Sequence, residues 1–353
     1  MIESVVRMPQ ASEEGHSTNS PKVDIVILNW NGWPDTIECL ESLRQLTYPD
    51  YRIVLIDNGS TDESVERIRT WCLDKIPSQQ LILIQTGENL GFAGGNNVAL
   101  EYGLREGVGY FWLLNNDTVL DPQSLTELID VVKSDPSIGL AGPLVLFYRQ
   151  PRSIYAAGLS ISKVGRRVRR IGLGQAPDDP CFQEPRDVEG LAGCALFVRR
   201  EVLQTVGLFD ERYFLYMEEV DLCTRAIQNH FRCVLVPRAR IWHKGWGSVK
   251  NDPGLMEYYL ARSQILYLRK FSSGGRYVLD VFAYVFRSFW QAMLRTFREG
   301  HLICWMALFL GLAHGLSGRY TYSWHGNRVS PTSKRSTSGP SEEPMGITPL
   351  DKP

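Results

Sequence analysis

The chain lacks the long uninterrupted apolar run that a membrane span requires. Its C-terminal stretch HLICWMALFLGLAHGL (301–316) falls short of the ~20 residues needed to cross a bilayer. The N-terminal MIESVVRMPQASEEGHSTNSPK has no apolar core of signal-peptide length, so residues 1–21 read as a flexible tail. The seven cysteines are odd in number and none forms a C-x-x-C pair. That favours reduced thiols in a cytosol over a disulfide framework. No G-x-G-x-x-G and no G-x-x-x-x-G-K-[ST] occurs, which removes the main signature of dinucleotide-binding proteins and ATPases. The formal charge of −1 gives no global attraction to nucleic acid, and none is expected as a partner.

What is present is an alternation of short apolar runs with amphipathic ones. VDIVILNW (23–30), YRIVLID (51–57), LILIQ (81–85), YFWLL (110–114) and IGLAGPLVLF (138–147) read as buried strands. Helices are expected between them. One opens at Pro34 with Ile37, Leu40 and Leu43 on a face. A second is introduced by a Ser60–Glu63 capping box and carries Val65 and Ile68. A third starts near Gly95, and a fourth carries Leu125, Leu128, Ile129 and Val132. This pattern predicts an α/β fold, a mostly parallel sheet flanked by helices. Residues 150–190 read as irregular, with Arg166, Arg167, Arg169 and Arg170 either on a solvated loop or against an anionic lipid or diphosphate. LAGCALFVRREVL then restores a strand and a short helix. Residues beyond 254 read as helical and amphipathic, and those of 271–316 as helices that lie in a membrane interface, with packing onto the catalytic unit or a second subunit (a homo-oligomer) as the alternative. Residues 317–353, rich in Ser, Thr, Gly and Pro, read as disordered. The expected division is thus a tail (1–21), an α/β unit (22–270), membrane-associating helices (271–316) and a second tail.

In parallel sheets ligands gather at the carboxyl ends of strands. Asn29–Asn31, Asp57 and Asn115–Asp117 all fall at such ends. Asp57 followed by Asn58-Gly59-Ser60-Thr61-Asp62 suits a base or ribose contact, and equally a turn with a helix cap. Asn115-Asn116-Asp117 suits a divalent cation, or an Asx turn. The Gly-rich segment 89–97 makes Asn89, Gly91 and Asn96 candidates for phosphate or sugar contact through backbone amides. The run GLFDERYFLYMEEVDLCTRA (207–226) sets Glu218, Glu219 and Asp221 among aromatics at a helix start. There the helix dipole keeps acids ionised and able to take a proton from a hydroxyl; capping with solvation is the plain alternative. His243, in IWHKGWGSVK, sits in a loop composed like a binding loop and is a candidate metal ligand.

As an ordered set, VDIVILNWNG, VLIDNGSTDES, NLGFAGGNN, WLLNNDTVLDP, GCALFVRREVL, GLFDERYFLYMEEVDLCTRA and WHKGWGS resemble the family-2 glycosyltransferases of GT-A fold, in particular their bacterial rhamnosyltransferase-like branch. The resemblance covers about residues 22–270. It implies a Rossmann-like GT-A sheet and inverting transfer from a nucleoside-diphosphate sugar, with dTDP-rhamnose the family-level expectation. The implied acceptor is lipid-linked or a polysaccharide, handled at the inner face of the cell membrane. Asp57 would contact the base, with Asn29, Asn31 and Asp62 in or near the nucleotide pocket, beside Asn115 and Asn116. Asp117 would be the surviving acid of the D-x-D-type site for Mg2+ or Mn2+, with His243 as helper. Glu219 would be the base, with Glu218 or Asp221 as substitutes. Arg262 matches a position often followed by Asn, which is Ser263 here.

Two competing classes remain. A sugar nucleotidyltransferase would bind its nucleotide on a similar sheet, but it wants a basic Gly-rich loop, and the first strand here ends in Asn29-Trp30-Asn31-Gly32. A non-catalytic carbohydrate- or partner-binding module on the same fold is the other.

Overall fold

The computed structural model describes residues 4–7, 22–77, 80–245, 252–299 and 303–320. In chain order the first half runs β1 (Ser4–Arg7), β2 (Val23–Asn29), α1 (Trp33–Leu43), β3 (Tyr51–Asp57), α2 (Ser64–Lys75), β4 (Leu81–Gln85), α3 (Gly91–Arg105), β5 (Tyr110–Asn115), β6 (Thr118–Leu120), α4 (Ser124–Ser134) and β7 (Ile138–Phe147). The second half adds β8 (Gln150–Ala156), β9 (Leu159–Ile161), β10 (Val168–Arg170), β11 (Arg186–Asp187), β12 (Ala195–Arg199), α5 (Arg200–Val206), α6 (Glu218–Gln228), β13 (Arg232–His243), α7 (Pro253–Phe271), α8 (Gly274–Glu299) and α9 (Ile303–Ser317).

The main sheet runs β1-β4-β3-β2-β5-β12-β7-β13-β11, with β6 on β13 and β8 on β7. Its centre is parallel: β4, β3, β2 and β5 share one direction, as do β7 and β13. Strand β12 runs against both β5 and β7 and joins the two halves. Alternation along each strand sends neighbouring side chains to opposite faces. Ile25, Ile27, Ile53 and Leu55 meet α1, α2 and α4 on one face. Val26, Val54 and Ile56 meet α3, α5 and α6 on the other. Both faces are therefore dry, which explains why these strands are apolar throughout. At the amino ends of β2 and β3, Arg52 donates two hydrogen bonds to the buried Asp24 carboxylate, at 2.9 and 2.7 Å.

Several expectations need correction. Ser60 and Glu63 make no capping box: α2 starts at Ser64 without a side-chain cap from Glu63, and Ser60 Oγ donates instead to Asp57 Oδ1 at 2.6 Å. Helix α3 begins at Gly91, four residues earlier than expected, because Gly91 takes φ +74° and starts the helix at once. Residues 150–190 are irregular only in part, over 162–167 and most of 171–185. They also form β8 on the main sheet and the separate β9–β10 hairpin. Ser4–Arg7, inside the expected tail, pairs with β4 as an edge strand. Trp246, Gly247 and Ser248, and residues 321–353, lie outside the described residues.

Among the described residues no helix is long and apolar enough to cross a membrane. Helix α9 lies tightly on α7: a Cβ on Gly311 would come within 2.5 Å of the Tyr258 carbonyl oxygen.

Candidate active site

The carboxyl ends of β2, β3 and β5 carry a continuous polar network. Asn29 Nδ2 donates to Asp57 Oδ1 (2.9 Å) and to Ser60 Oγ (3.1 Å). Asn29 Oδ1 accepts from Thr36 Oγ1 (2.8 Å), and Thr36 Oγ1 accepts from Asn116 Nδ2 (3.0 Å). The Asp57 region and the Asn115-Asn116-Asp117 segment are thereby joined through α1. Asn31, at φ +51°, turns its side-chain oxygen onto the amides of Thr61 and Asp62. Asp62 in turn accepts from Ser64 N at the start of α2 (3.0 Å). Asn31 and Asp62 therefore shape the rim of the site.

Asp117 is buried, and its Oδ1 lies 3.1 Å from His243 Nε2. Burial alone would raise this carboxyl, but His243 holds it below the usual range. The next residue, Lys244, donates its amide to Asp117 O and its ammonium to Asp35 and Glu38, both at 2.6 Å. The end of β13 is so fastened to α1. Asn115 Oδ1 and His243 Nδ1 are buried with no hydrogen-bond partner among the described residues. Asn115 Oδ1 is an orphaned oxygen near the Asp117 carboxylate, the ligand type a hard divalent cation takes, whereas the His243 nitrogen that faces Asp117 is Nε2. Among the described residues no three His, Cys, Asp or Glu side chains form a full cage. The donor set thus fits Mg2+ or Mn2+ with remaining ligands from a diphosphate and water.

Glu218 and Glu219 open α6 after a loop with three non-glycine residues in the left-handed region: Phe214 (φ +62°), Tyr216 (φ +65°) and Met217 (φ +75°). Such conformations cost on the order of 1 kcal/mol or more each and persist only where surrounding contacts impose them. Those contacts come from two sides. Arg262 Nη2 donates to the carbonyls of Arg212 (3.1 Å) and Tyr213 (2.7 Å), and Ser263 Oγ to those of Tyr213 and Leu215. From the other side Phe92 N donates to Phe214 O (2.6 Å), and Asn97 makes a paired bond with the Phe209 backbone. Gly91 sits against Phe214, where a Cβ would come within 2.5 Å of its ring and its carbonyl.

In segment 89–97 the amides of Leu90, Gly91 and Phe92 are already taken by Asn58 Oδ1, Asn89 Oδ1 and Phe214 O. Asn96 is buried and donates to Phe92 O. Gly91 and Phe92 pack on the glutamate loop, while Asn89 and Asn96 bond within their own segment and to Asn58. Asp221 is removed as a substitute base. It is fully buried, accepts from Tyr213 Oη at 3.1 Å, pairs with Arg225 at 2.6 Å and contacts Lys270. Both of its oxygens are held by structural partners.

The helix dipole does not keep the two glutamates ionised as expected. Burial raises the Glu218 carboxyl well above the ordinary range, and neighbouring Glu219 raises it further. Burial also lifts Glu219, to about 7, against the lowering effect of nearby backbone amides. Glu218 is 4% exposed whereas Glu219 is partly open, although its Oε2 is enclosed and unpaired. Gly193 makes room for it: a Cβ there would stand 3.3 Å from Glu219 Cγ.

The two acidic segments meet at one turn: Asn115 N donates to Cys194 O at 3.0 Å, and the adjoining Gly193 lies against Glu219. The buried Cys194 thiol, pushed up chiefly by burial, feels the charges of both Asp117 and Glu219. The Tyr155 ring packs edge-on against His243, centroids 4.8 Å apart, and the Arg170 guanidinium lies over that ring at 4.3 Å. Tyr155, Arg170, Cys194 and Gly193 were missed from the sequence because they lie in or next to the segment read as irregular. The order LAGCALF, a small-residue turn before a strand, was the signal on offer for Gly193 and Cys194.

Solved glycosyltransferases share this α/β sheet with acids at its carboxyl edge. The mannosyltransferase PcManGT from Pyrobaculum calidifontis, in complex with GDP-Man and Mn2+, superposes with a TM-score of 0.53 at 18% identity, over 86% of this chain and 83% of that one. GalNAc-T7 with UDP, GalNAc and Mn2+ gives 0.53 at 17% identity, over 76% and 55%. The model "Glycosyl transferase family 2" matches residues 24–206, just over half of the chain, and the chain belongs to that family. The N-acetylglucosaminyl-diphospho-decaprenol L-rhamnosyltransferase of Mycobacterium tuberculosis is 30% identical over 297 residues, covering 79% of this chain and 89% of its own. The dTDP-rhamnosyl transferase RfbF of Shigella flexneri is 24% identical over 255 residues, covering 69% and 79%.

Proposed function

We propose that the protein transfers a sugar, rhamnose before other hexoses, from a nucleoside-diphosphate donor to a hydroxyl of a lipid-linked or polysaccharide acceptor in cell-surface glycan synthesis. The donor class rests on the similarity to rhamnosyltransferases, one of them named for dTDP-rhamnose. The observation that supports the chemistry is a chain of contacts: Asp57 bonds Asn29, Thr36 links Asn29 to Asn116, Asn115 N donates to Cys194 O at 3.0 Å, and the adjoining Gly193 lies against Glu219.

In this reading the nucleoside lies against Asp57, Asn29 and the rim made by Asn31 and Asp62, with Asn116 beside it. Asp117, with His243 and Asn115, would hold Mg2+ or Mn2+, which supplies positive charge against the departing diphosphate. Glu219 takes the proton of the acceptor hydroxyl. The freed oxygen attacks the anomeric carbon from the face opposite the diphosphate, so the configuration inverts. Glu218, buried beside it with its carboxyl raised well above the ordinary range by burial, is the less accessible of the two. The enzyme works as a peripheral protein on the cytoplasmic side of the membrane.

The test is a panel of nucleotide-sugars with membrane-extracted acceptor, scored by nucleoside diphosphate release and by the anomeric configuration of the product. Release of diphosphate with inversion, lost in Glu219→Gln, supports the assignment. Pyrophosphate release would make the protein a nucleotidyltransferase. An unchanged donor after long incubation would leave only a binding module.

A further inference from the structure

Helix α8 is inside out. Its polar residues Asp280 and Ser288 are buried against the protein, while Phe282 (68% exposed), Phe286 (65%), Phe289 and Trp290 face outward on one stripe. Leaving that much aromatic surface in water is unfavourable, and contiguous patches of this kind mark contact surfaces. Beside the stripe stands a group of arginines. The turn of the β9–β10 hairpin packs on α8: Gly165 N donates to Asp280 Oδ1 at 2.8 Å, and a Cβ on Gly165 would lie 3.7 Å from Arg287 Nη1. Arg166 is used structurally, on Phe271 O and Ser272 Oγ. Arg167 and Arg169 follow that turn on the hairpin, whose Gly165 lies against Arg287, and among the described residues none of the three arginines has a carboxylate in ion-pair range. Burial first, and then Arg167 and Arg169, disfavour the Arg287 cation. Like charges gathered without an anion, in a chain of net charge −1, lack a counter-charge that a ligand would supply.

We propose that Arg167, Arg169 and Arg287 form a phosphate site for anionic phospholipid headgroups, seated beside an aromatic face of α8 that inserts into the bilayer surface. An amphipathic surface helix with adjacent cations is the composition that binds anionic interfaces. A second copy of this chain suits the surface less, because a symmetric contact would bring the arginines near their own copies. Strand β10 carries Arg169 toward α8 and Arg170 toward Tyr155 at the cleft. A hairpin anchored on headgroups therefore holds the cleft at the bilayer surface, which deepens, and rests on, the reading of a lipid-linked acceptor.

The experiment is flotation of the full chain with vesicles of phosphatidylcholine alone or mixed with phosphatidylglycerol. Expected is binding to the mixed vesicles that falls with added salt. Arg167→Gln/Arg169→Gln/Arg287→Gln should lose on the order of a hundredfold in partitioning. Phe282→Ser/Phe286→Ser, at exposed positions, should lose at least about tenfold. The exposed single variant Arg169→Gln guards against misfolding, as does unchanged nucleoside diphosphate binding in every variant. Equal binding to both vesicle types, or no binding, overturns the proposal. So does lipid-free dimerisation abolished by Phe282→Ser/Phe286→Ser. Because vesicle binding is read without turnover, its failure is distinct from failure of the transferase reading.

Discussion

Glu218 and Glu219 are neighbours in sequence with different surroundings, and the difference sets their roles. Glu219, lifted to about 7 by burial, is active only when it has lost its proton. The acid limb of kcat/KM should therefore rise with pH through about 7, and Glu219→Gln should lower kcat by roughly 10²–10⁴-fold with nucleotide binding retained. A pH profile on the preferred donor checks both. Glu218 acts on stability instead. Its folded-state carboxyl titrates above the ordinary 4.5, so the native state binds the proton more tightly than the unfolded chain does. Stability is then fully present below about 4.5 and declines as pH rises toward the folded value. Glu218→Gln should flatten that decline and stabilise the protein above neutral pH, measured by urea unfolding across pH. The motif announced two acids at a helix start. Burial, which reverses the effect of the helix dipole, depends on residues from distant segments.

The loop 212–217 is the element on which the site depends. It is held in left-handed conformations by α7 through Arg262 and Ser263, and by α3 through Phe92 and Asn97. Asn97→Ala leaves the Phe209 amide and carbonyl unpaired and should cost about 1–3 kcal/mol. Arg262→Leu frees the carbonyls of Arg212 and Tyr213 and should cost at least as much. Both should lower kcat more than they raise KM for the donor, because the nucleotide side of the cleft rests on β2 and β3. Denaturation curves and steady-state kinetics on the two variants decide this. Gly91 and Asn96 read as a ligand loop because glycine and asparagine suit phosphate cradles and helix starts alike. Only the approach of Phe214 distinguishes the two uses.

At the scale of the whole molecule, one sheet separates a stabilising end from a chemical end. The Arg52–Asp24 pair closes the amino ends of β2 and β3, with the Arg52 guanidinium over the Tyr102 ring at 5.0 Å. Arg52→Leu strands a buried carboxylate and should destabilise the fold by about 3–5 kcal/mol. The site lies at the opposite strand ends, so nucleotide affinity of the folded fraction should be unchanged. Thermal unfolding with and without nucleoside diphosphate separates the two effects.

The strands, their order and the sheet's carboxyl edge were legible because five apolar runs separated by amphipathic ones admit few arrangements, and parallel sheets bind ligands at that edge. The strand-end positions of Asp57 and Asp117 were legible from the same rule, and the helix-start position of Glu219 from its motif. Tyr155, Arg170 and Cys194 were not, since their strands are short and lack periodic pattern. Nor was the structural use of Asp221, Asn89 and Asn96, which differ from site residues only in who their neighbours are. Local periodicity and strand-end position are properties of the chain. Burial, counter-charge and the partner of each polar atom arise only when remote segments meet, and those decided which carboxylate is left to do chemistry.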